Sequence, residues 1–218
     1  MRQIIFDDIR SWNDLGLFLT DVQTAPPEPK RNTLSVDGMD GELDLTYGTT
    51  KRVRFGNKST TLTFTMKDYT KGWDETFSKI RNRLHAKRMK VVVDEDSGFY
   101  QDAYVTVSST KGNGNQGTVT VTLDAYPYDY RDDMTIYPDI SLTTAGVTVT
   151  CANGEMDVIP TFTSTGTFTV ISGSRTVTFD GAGEHESADI VFEEGANEIT
   201  LKGQSGVTVT ISYREGRL

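Results

Sequence analysis

The residues that could do chemistry are few, and each stands in a pattern that falls short of a known site. Glu184-His185-Glu186 offers three groups able to ligate a metal, but a lone cluster between Gly183 and Ser187 reads as a solvated loop. Asp94-Glu95-Asp96-Ser97-Gly98 begins like a calcium loop. The twelfth position from Asp94 is Val105, where a bidentate Glu is needed, so the segment is read as a plain turn. Gly112 and Gly117 have the spacing of a phosphate loop, but Thr118 and Val119 follow where a P-loop has Lys and then Ser or Thr. No G-x-S-x-G, no Cys-x-x-Cys and no Ser-His-Asp constellation is recognisable, and no two carboxylates are marked as a catalytic pair. The reading is therefore no catalytic residues, no metal and no cofactor. The basic run from Arg81 to Lys90 could touch nucleic acid, but it lacks interleaved aromatics, so it reads as a helix end or a charged subunit contact. Cys151 closes the alternating run from Val147 and reads as a small strand residue; a single cysteine allows no internal disulfide.

The elements that would position any site are mostly strands. Thr33–Asp37 and Glu42–Thr46 alternate, with Asp37-Gly38-Met39-Asp40-Gly41 as the turn between them. Thr61–Met66 puts Leu62, Phe64 and Met66 on one face, Met89–Val93 is a short apolar run, and Gly117–Leu123 has a valine-leucine face and a threonine face. Trp73, Phe77, Ile80 and Leu84 share one helical face, with Asp74 and Glu75 at the start, basic residues toward the end, and Asp68 or Thr70 as candidate caps. Tyr126–Asp133 breaks the pattern, as an interdomain linker or as the last strand running into one. Beyond it the expected strands are 146–150, 158–163, 167–172, 175–180, 189–192, 197–201 and 207–213, an even spacing that predicts an antiparallel sandwich.

Charge divides the chain at the same place. Up to residue 130 there are 17 Lys and Arg against 18 Asp and Glu; beyond it there are 5 against 13. Two domains are expected, 1–130 and 131–218. The overall net charge of −9 argues against binding the exterior of a nucleic acid. No run is long and apolar enough to span a membrane, and the start, Met1-Arg2-Gln3-Ile4-Ile5-Phe6-Asp7-Asp8, turns acidic too early for a signal peptide. The expectation is a protein made in a cytoplasm, or carried in something assembled there.

The order of several short motifs resembles the distal tail proteins of long-tailed phages. Asn13-Asp14-Leu15-Gly16-Leu17 precedes Pro26-Pro27-Glu28-Pro29-Lys30, and then comes Gly38-Met39-Asp40-Gly41-Glu42-Leu43-Asp44-Leu45-Thr46. The Trp73 helix, the corner Leu84-His85-Ala86-Lys87, the strand from Phe99-Tyr100, and the ending Ile211-Ser212-Tyr213-Arg214-Glu215-Gly216-Arg217-Leu218 continue the likeness. The family often has Gly where this chain has Ala86, and Tyr where it has Phe99.

The resemblance implies a mainly β protein: an N-terminal β-sandwich with one α-helix and an extended hairpin, and a C-terminal antiparallel galectin-like β-sandwich. It implies a homo-oligomeric ring, a hexamer, at the tail tip of a virion assembled in the host cytoplasm. The ring would join the tail tube protein to the tail-associated protein, hold receptor-binding proteins, and let DNA pass without stable binding. At 218 residues the chain looks like the short form, without an inserted carbohydrate-binding module. Lys51, Arg52 and Arg54 against Asp40, Glu42 and Asp44 are the candidate subunit-interface charges. Two other classes compete. One is a carbohydrate-binding module, although residues 131–218 hold no Trp and their few aromatics alternate like core. The other is a tail glycan hydrolase, which lacks a catalytic constellation.

Overall fold

Alternating side chains give a strand one apolar and one polar face, and the long strands of this protein obey that rule. The computed structural model describes residues 3–46, 48, 52–66, 72–93, 98–112 and 117–218. The chain divides into two compact units, Met1–Asp129 and Tyr130–Leu218. Strands dominate both, so the protein is mainly β.

The first unit contains β1 (Ile5–Phe6), β2 (Ile9–Arg10), β3 (Leu17–Ala25), β4 (Pro29–Lys30), β5 (Thr33–Ser35), β6 (Glu42–Asp44), β7 (Arg54–Phe55), β8 (Lys58–Met66), β9 (Lys87–Val92), β10 (Phe99–Lys111) and β11 (Gly117–Ala125). Seven of them follow the antiparallel order β2-β1-β9-β10-β11-β8-β3, while β4 pairs with β7 and β5 with β6. One face of the long sheet is core: Leu62, Phe64 and Met66 of β8, Met89 and Val91 of β9, Val105 and Val107 of β10, and Val119, Val121 and Leu123 of β11. The opposite face of its centre carries hydroxyls. Thr106, Thr122 and Thr61 stand in one cross-strand row, Ser108, Thr120 and Thr63 in the next, and Thr110, Thr118 and Thr65 in the third.

Helix α1 (Trp73–Leu84) packs on the core with Trp73, Ile80 and Leu84 buried and Phe77 half-buried, the face expected from the spacing. Its N-cap is Gly72, which has no side chain to cap with; the candidate caps Asp68 and Thr70 lie outside the described residues. A Cβ on Gly117 would lie 2.3 Å from the Trp73 ring, so β11 starts with the one residue that lets the indole seat there. The helix ends in a sharp corner. Ala86 takes a left-handed φ of 60°, the Val107 amide donates to His85 Nδ1 at 3.0 Å, and the Ala86 amide donates to the Val105 carbonyl at 2.9 Å. The tight turn is thus made with alanine in place of glycine.

Lys58 belongs to the core face of β8 although it is charged. Its side chain is 4 % exposed and its Nζ lies 2.5 Å from Asp129 Oδ1. A buried cation needs such a partner, because desolvation of an isolated charge is prohibitive.

β12 (Asp129–Arg131) falls within the Tyr126–Asp133 segment. The second unit then has β13 (Thr135–Ser141), β14 (Val147–Asn153), β15 (Thr161–Ser164), β16 (Phe168–Ser172), β17 (Arg175–Phe179), β18 (Gly183–His185), β19 (Gly195–Gly203), β20 (Thr208–Tyr213) and β21 (Gly216–Arg217). Two four-stranded antiparallel sheets, β13-β20-β15-β18 and β14-β19-β16-β17, share a core that includes Phe162, Phe168, Phe192, Leu201 and Ile211. This is the predicted sandwich, with local differences. The strand expected at 158–163 starts only at Thr161, after Pro160, which has no N–H to give to a ladder. The strand expected at 189–192 shrinks to one bridge between Phe192 and Val158, although Ile190 and Phe192 are both buried. β13 was hidden by Pro138 and by a register shift between Tyr137 and Ile140, and it lies at a sheet edge where proline is tolerated. Cys151 is buried in β14, and burial pushes its thiol up to about 11.

Candidate interaction surfaces

The charged residues singled out in the sequence centre on the β5–β6 hairpin. Thr33 pairs with Asp44, Leu34 with Leu43 and Ser35 with Glu42, which places the expected turn at the far end. Gly38 and Gly41 both adopt positive φ there, of 83° and 80°. The base is tied by side chains. Asp44 Oδ1 accepts from the Thr46 amide at 2.9 Å, its Oδ2 accepts from Arg31 Nη2 at 3.1 Å, and the Asn32 amide donates to Thr46 Oγ1. Hydrogen bonds from Thr46 first, and Arg31 after them, hold the Asp44 carboxyl at about 2. Asp44 is thus engaged within its own hairpin. Asp40 and Glu42 are exposed. Arg54 is exposed in β7, its backbone paired with Lys30, and Arg52 is half-buried. Lys51 lies outside the described residues. The hairpin also exposes Leu34, Val36, Met39 and Leu43, and among the described residues β5 and β6 pair only with each other.

The basic run divides at the Ala86 corner. Arg81 and Arg83 end the helix, where Lys87 Nζ donates to the Arg83 carbonyl at 2.7 Å. Arg88 and Lys90 are on β9. Arg88 donates twice to Asp102, at 2.8 and 2.9 Å, and stacks over Tyr126 at 4.3 Å; Lys90 sits over Tyr100 at 4.7 Å. The absence of interleaved aromatics, true along the chain, is corrected in the fold: β10 and the residue after β11 bring the tyrosines alongside. Antiparallel register was the missing information.

A cleft of about 750 Å³ opens between α1 and the turn Ser11–Gly16. Leu15, Met66 and Ile80 form its apolar floor, with Trp12 beside them and Lys79 and Arg83 on the helix side. Nothing in the sequence pattern announced it, because its two walls lie far apart in the chain, at Trp12–Gly16 and on the helix from Thr76 to Arg83.

Among the described residues no group of three or more His, Cys, Asp or Glu is placed to hold a metal. The reading of Glu184-His185-Glu186 as a loop is corrected. His185 ends β18, and its ring lies 5.3 Å from that of Phe179 and 5.8 Å from that of Phe168. Glu186 accepts from Thr161 Oγ1. In the second unit Phe162, Phe168, Phe179, Phe192 and Tyr213 are buried and Tyr130 and Tyr137 are half-buried, so no fully exposed aromatic of the kind sugars stack on is found there. The readings of Asp94–Ser97 and of the centre of Gly112–Gly117 lie outside the described residues.

Comparison with known proteins divides sharply between sequence and structure. No family sequence model matches the chain, and no curated protein sequence matches it. A solved structure does match over its full length. The crystal structure of the Dit protein (gp 19.1) of phage SPP1, described as a paradigm of the hub adsorption apparatus in phages infecting Gram-positive bacteria, superposes with a TM-score of 0.72. The match covers 100 % of both chains at 14 % sequence identity. The chain has the Dit fold. The likeness takes in the whole Dit fold at once, so both units of this chain are covered by a single solved protein.

Proposed function

We propose that this chain is a structural protein of a long-tailed phage, a distal tail protein that works as a hub at the tail tip. The observation that carries this is the full-length likeness to SPP1 Dit, with nothing left over in either chain. The order of motifs along the first hundred residues supports the same reading from an independent direction. In this reading the first unit forms a homo-oligomeric ring, a hexamer, and the second is a galectin-like sandwich. The ring joins the tail tube protein to the tail-tip protein below, holds receptor-binding proteins, and surrounds the path of the DNA. The protein acts by assembly and not by catalysis. It is made in the host cytoplasm and resides in the virion.

Asp40, Glu42 and Asp44, with Lys51, Arg52 and Arg54, are the proposed subunit-interface charges. Closed cyclic rings join two different surfaces of each subunit, so charges of opposite sign on separate segments suit such a contact. Mass measurement of the purified full-length protein over a range of concentrations tests the reading. A discrete assembly of several copies is expected. A protein that remains a monomer at the highest attainable concentration would remove the ring, and with it the hub role.

A further inference from the structure

The face of the long sheet that carries Arg88 also carries exposed tyrosines. Pairing sets Arg88 of β9, Tyr104 of β10 and Asp124 of β11 in one row across the strands. Residues directly opposite each other in a sheet point to the same side. Val105 and Leu123, the next pair along, face the core, so this row faces outward. Tyr104 is 47 % exposed and Tyr126 is 43 % exposed. The Tyr126 amide donates to the Asp102 carbonyl at 3.3 Å, which ties the second tyrosine to the neighbouring row. A tyrosine offers an apolar ring and a polar tip, and left in water on a sheet face it is suited to a ligand that has both characters.

The polar groups around these rings are already fixed. Asp102 accepts from Arg88 Nε at 2.8 Å and from Nη2 at 2.9 Å, and the guanidinium lies over the Tyr126 ring at 4.3 Å. A guanidinium has five N–H groups, of which Asp102 uses two. Asp124 accepts from Asn57 Nδ2 at 2.9 Å, and a carboxylate has lone pairs for further donors. Planar groups held in place in this way lose little freedom when a ligand arrives. The charges also cancel, because Arg88 and Lys90 stand opposite residues of β10 that bring Asp102 and, one strand further, Asp124. A polyanion and a polycation are each repelled here as much as attracted. The complementary ligand is uncharged, with hydroxyls at its rim and an apolar C–H face.

We propose that this face of the first unit binds a neutral oligosaccharide or polysaccharide. The C–H face of one sugar ring lies on Tyr104, and its hydroxyls are held by the remaining N–H groups of Arg88 and by the Asp124 carboxylate. The next row, Thr106, Thr122 and Thr61, offers uncharged hydroxyls to a longer chain. The site is made entirely of residues of the first unit. It goes beyond the hub reading and does not depend on the ring.

A microarray of neutral and acidic glycans probed with the full-length protein tests the site, followed by calorimetric titration of the strongest neutral glycan. Neutral glycans should be retained, with an affinity that does not change with salt. Tyr104→Ala and Arg88→Gln should each weaken binding about tenfold or more, while Tyr104→Phe, which keeps the ring, should stay within about threefold of the wild type. Retention of no neutral glycan would overturn the site. So would retention of acidic glycans alone that fades as salt rises, or binding that survives both Tyr104→Ala and Arg88→Gln. The mass measurement tests the ring separately, so either reading can fail without the other.

Discussion

Single residues carry more of this fold's strain and compensation than its sequence pattern suggests. Ala86 holds a left-handed backbone conformation, which costs an L-residue about 1–2 kcal/mol relative to glycine. Ala86→Gly removes that strain but adds freedom to the unfolded chain, so a net stabilisation of about 1 kcal/mol is expected, read as a higher denaturation midpoint. A lower midpoint would mean that the alanine methyl makes contacts worth more than the strain. Lys58 is the opposite case. Asp129→Ala would leave its ammonium buried without a counter-ion, and a loss of roughly 3–5 kcal/mol is expected from chemical denaturation. The resemblance had marked Ala86 as a departure, but nothing marked Lys58 as buried. The alternation that identifies β8 was read from Thr61 to Met66, short of Lys58, and the partner that makes Lys58 tolerable stands 71 positions away. A pattern of polar and apolar letters has no means of recording such a pair.

At the scale of elements the sequence was more informative, because periodicity is a local property. The α1 face was readable from Trp73, Phe77, Ile80 and Leu84, and the β5–β6 hairpin from its two alternating runs around glycines. Phe77 is half-buried and stacked on Trp73, with ring centroids 6.3 Å apart. Phe77→Ala should therefore cost about 2–3 kcal/mol, less than the roughly 3–5 kcal/mol of a fully buried phenylalanine; an unchanged midpoint would show that the ring contributes nothing to the core. What failed to read were segments where local signals conflict. β13 carries Pro138 and has no clean alternation, Pro160 shortens β15, and Ile190 and Phe192 read as a strand although their buried side chains have no ladder to support them. The candidate surfaces were legible only in part. The hairpin charges could be named from order and spacing, but the cleft and the tyrosines beside Arg88 and Lys90 depend on pairings across the fold. If β7 and the chain before it belong to the subunit contact, Arg52→Glu with Arg54→Glu weakens assembly, most at low salt. Assembly unchanged at all salts would take these two arginines out of the interface.

For the whole molecule, the net charge of −9 and the proposed place around the DNA path make one prediction together. Duplex DNA binds where lysine and arginine displace its counterions, and here Arg88 is already committed to Asp102. The purified assembly should show no binding to duplex DNA at physiological salt. A micromolar complex by fluorescence anisotropy, weakening steeply as salt rises, would overturn this. The hydroxyl rows on β8, β10 and β11 bear on the conditions under which the protein works. Threonine and serine side chains do not titrate in any natural medium and attract no ion atmosphere. Those three rows therefore stay uncharged in acid and in alkali. Whatever comes to lie against them meets hydroxyls alone, until the next row along brings Tyr104, Asp124 and Ser59.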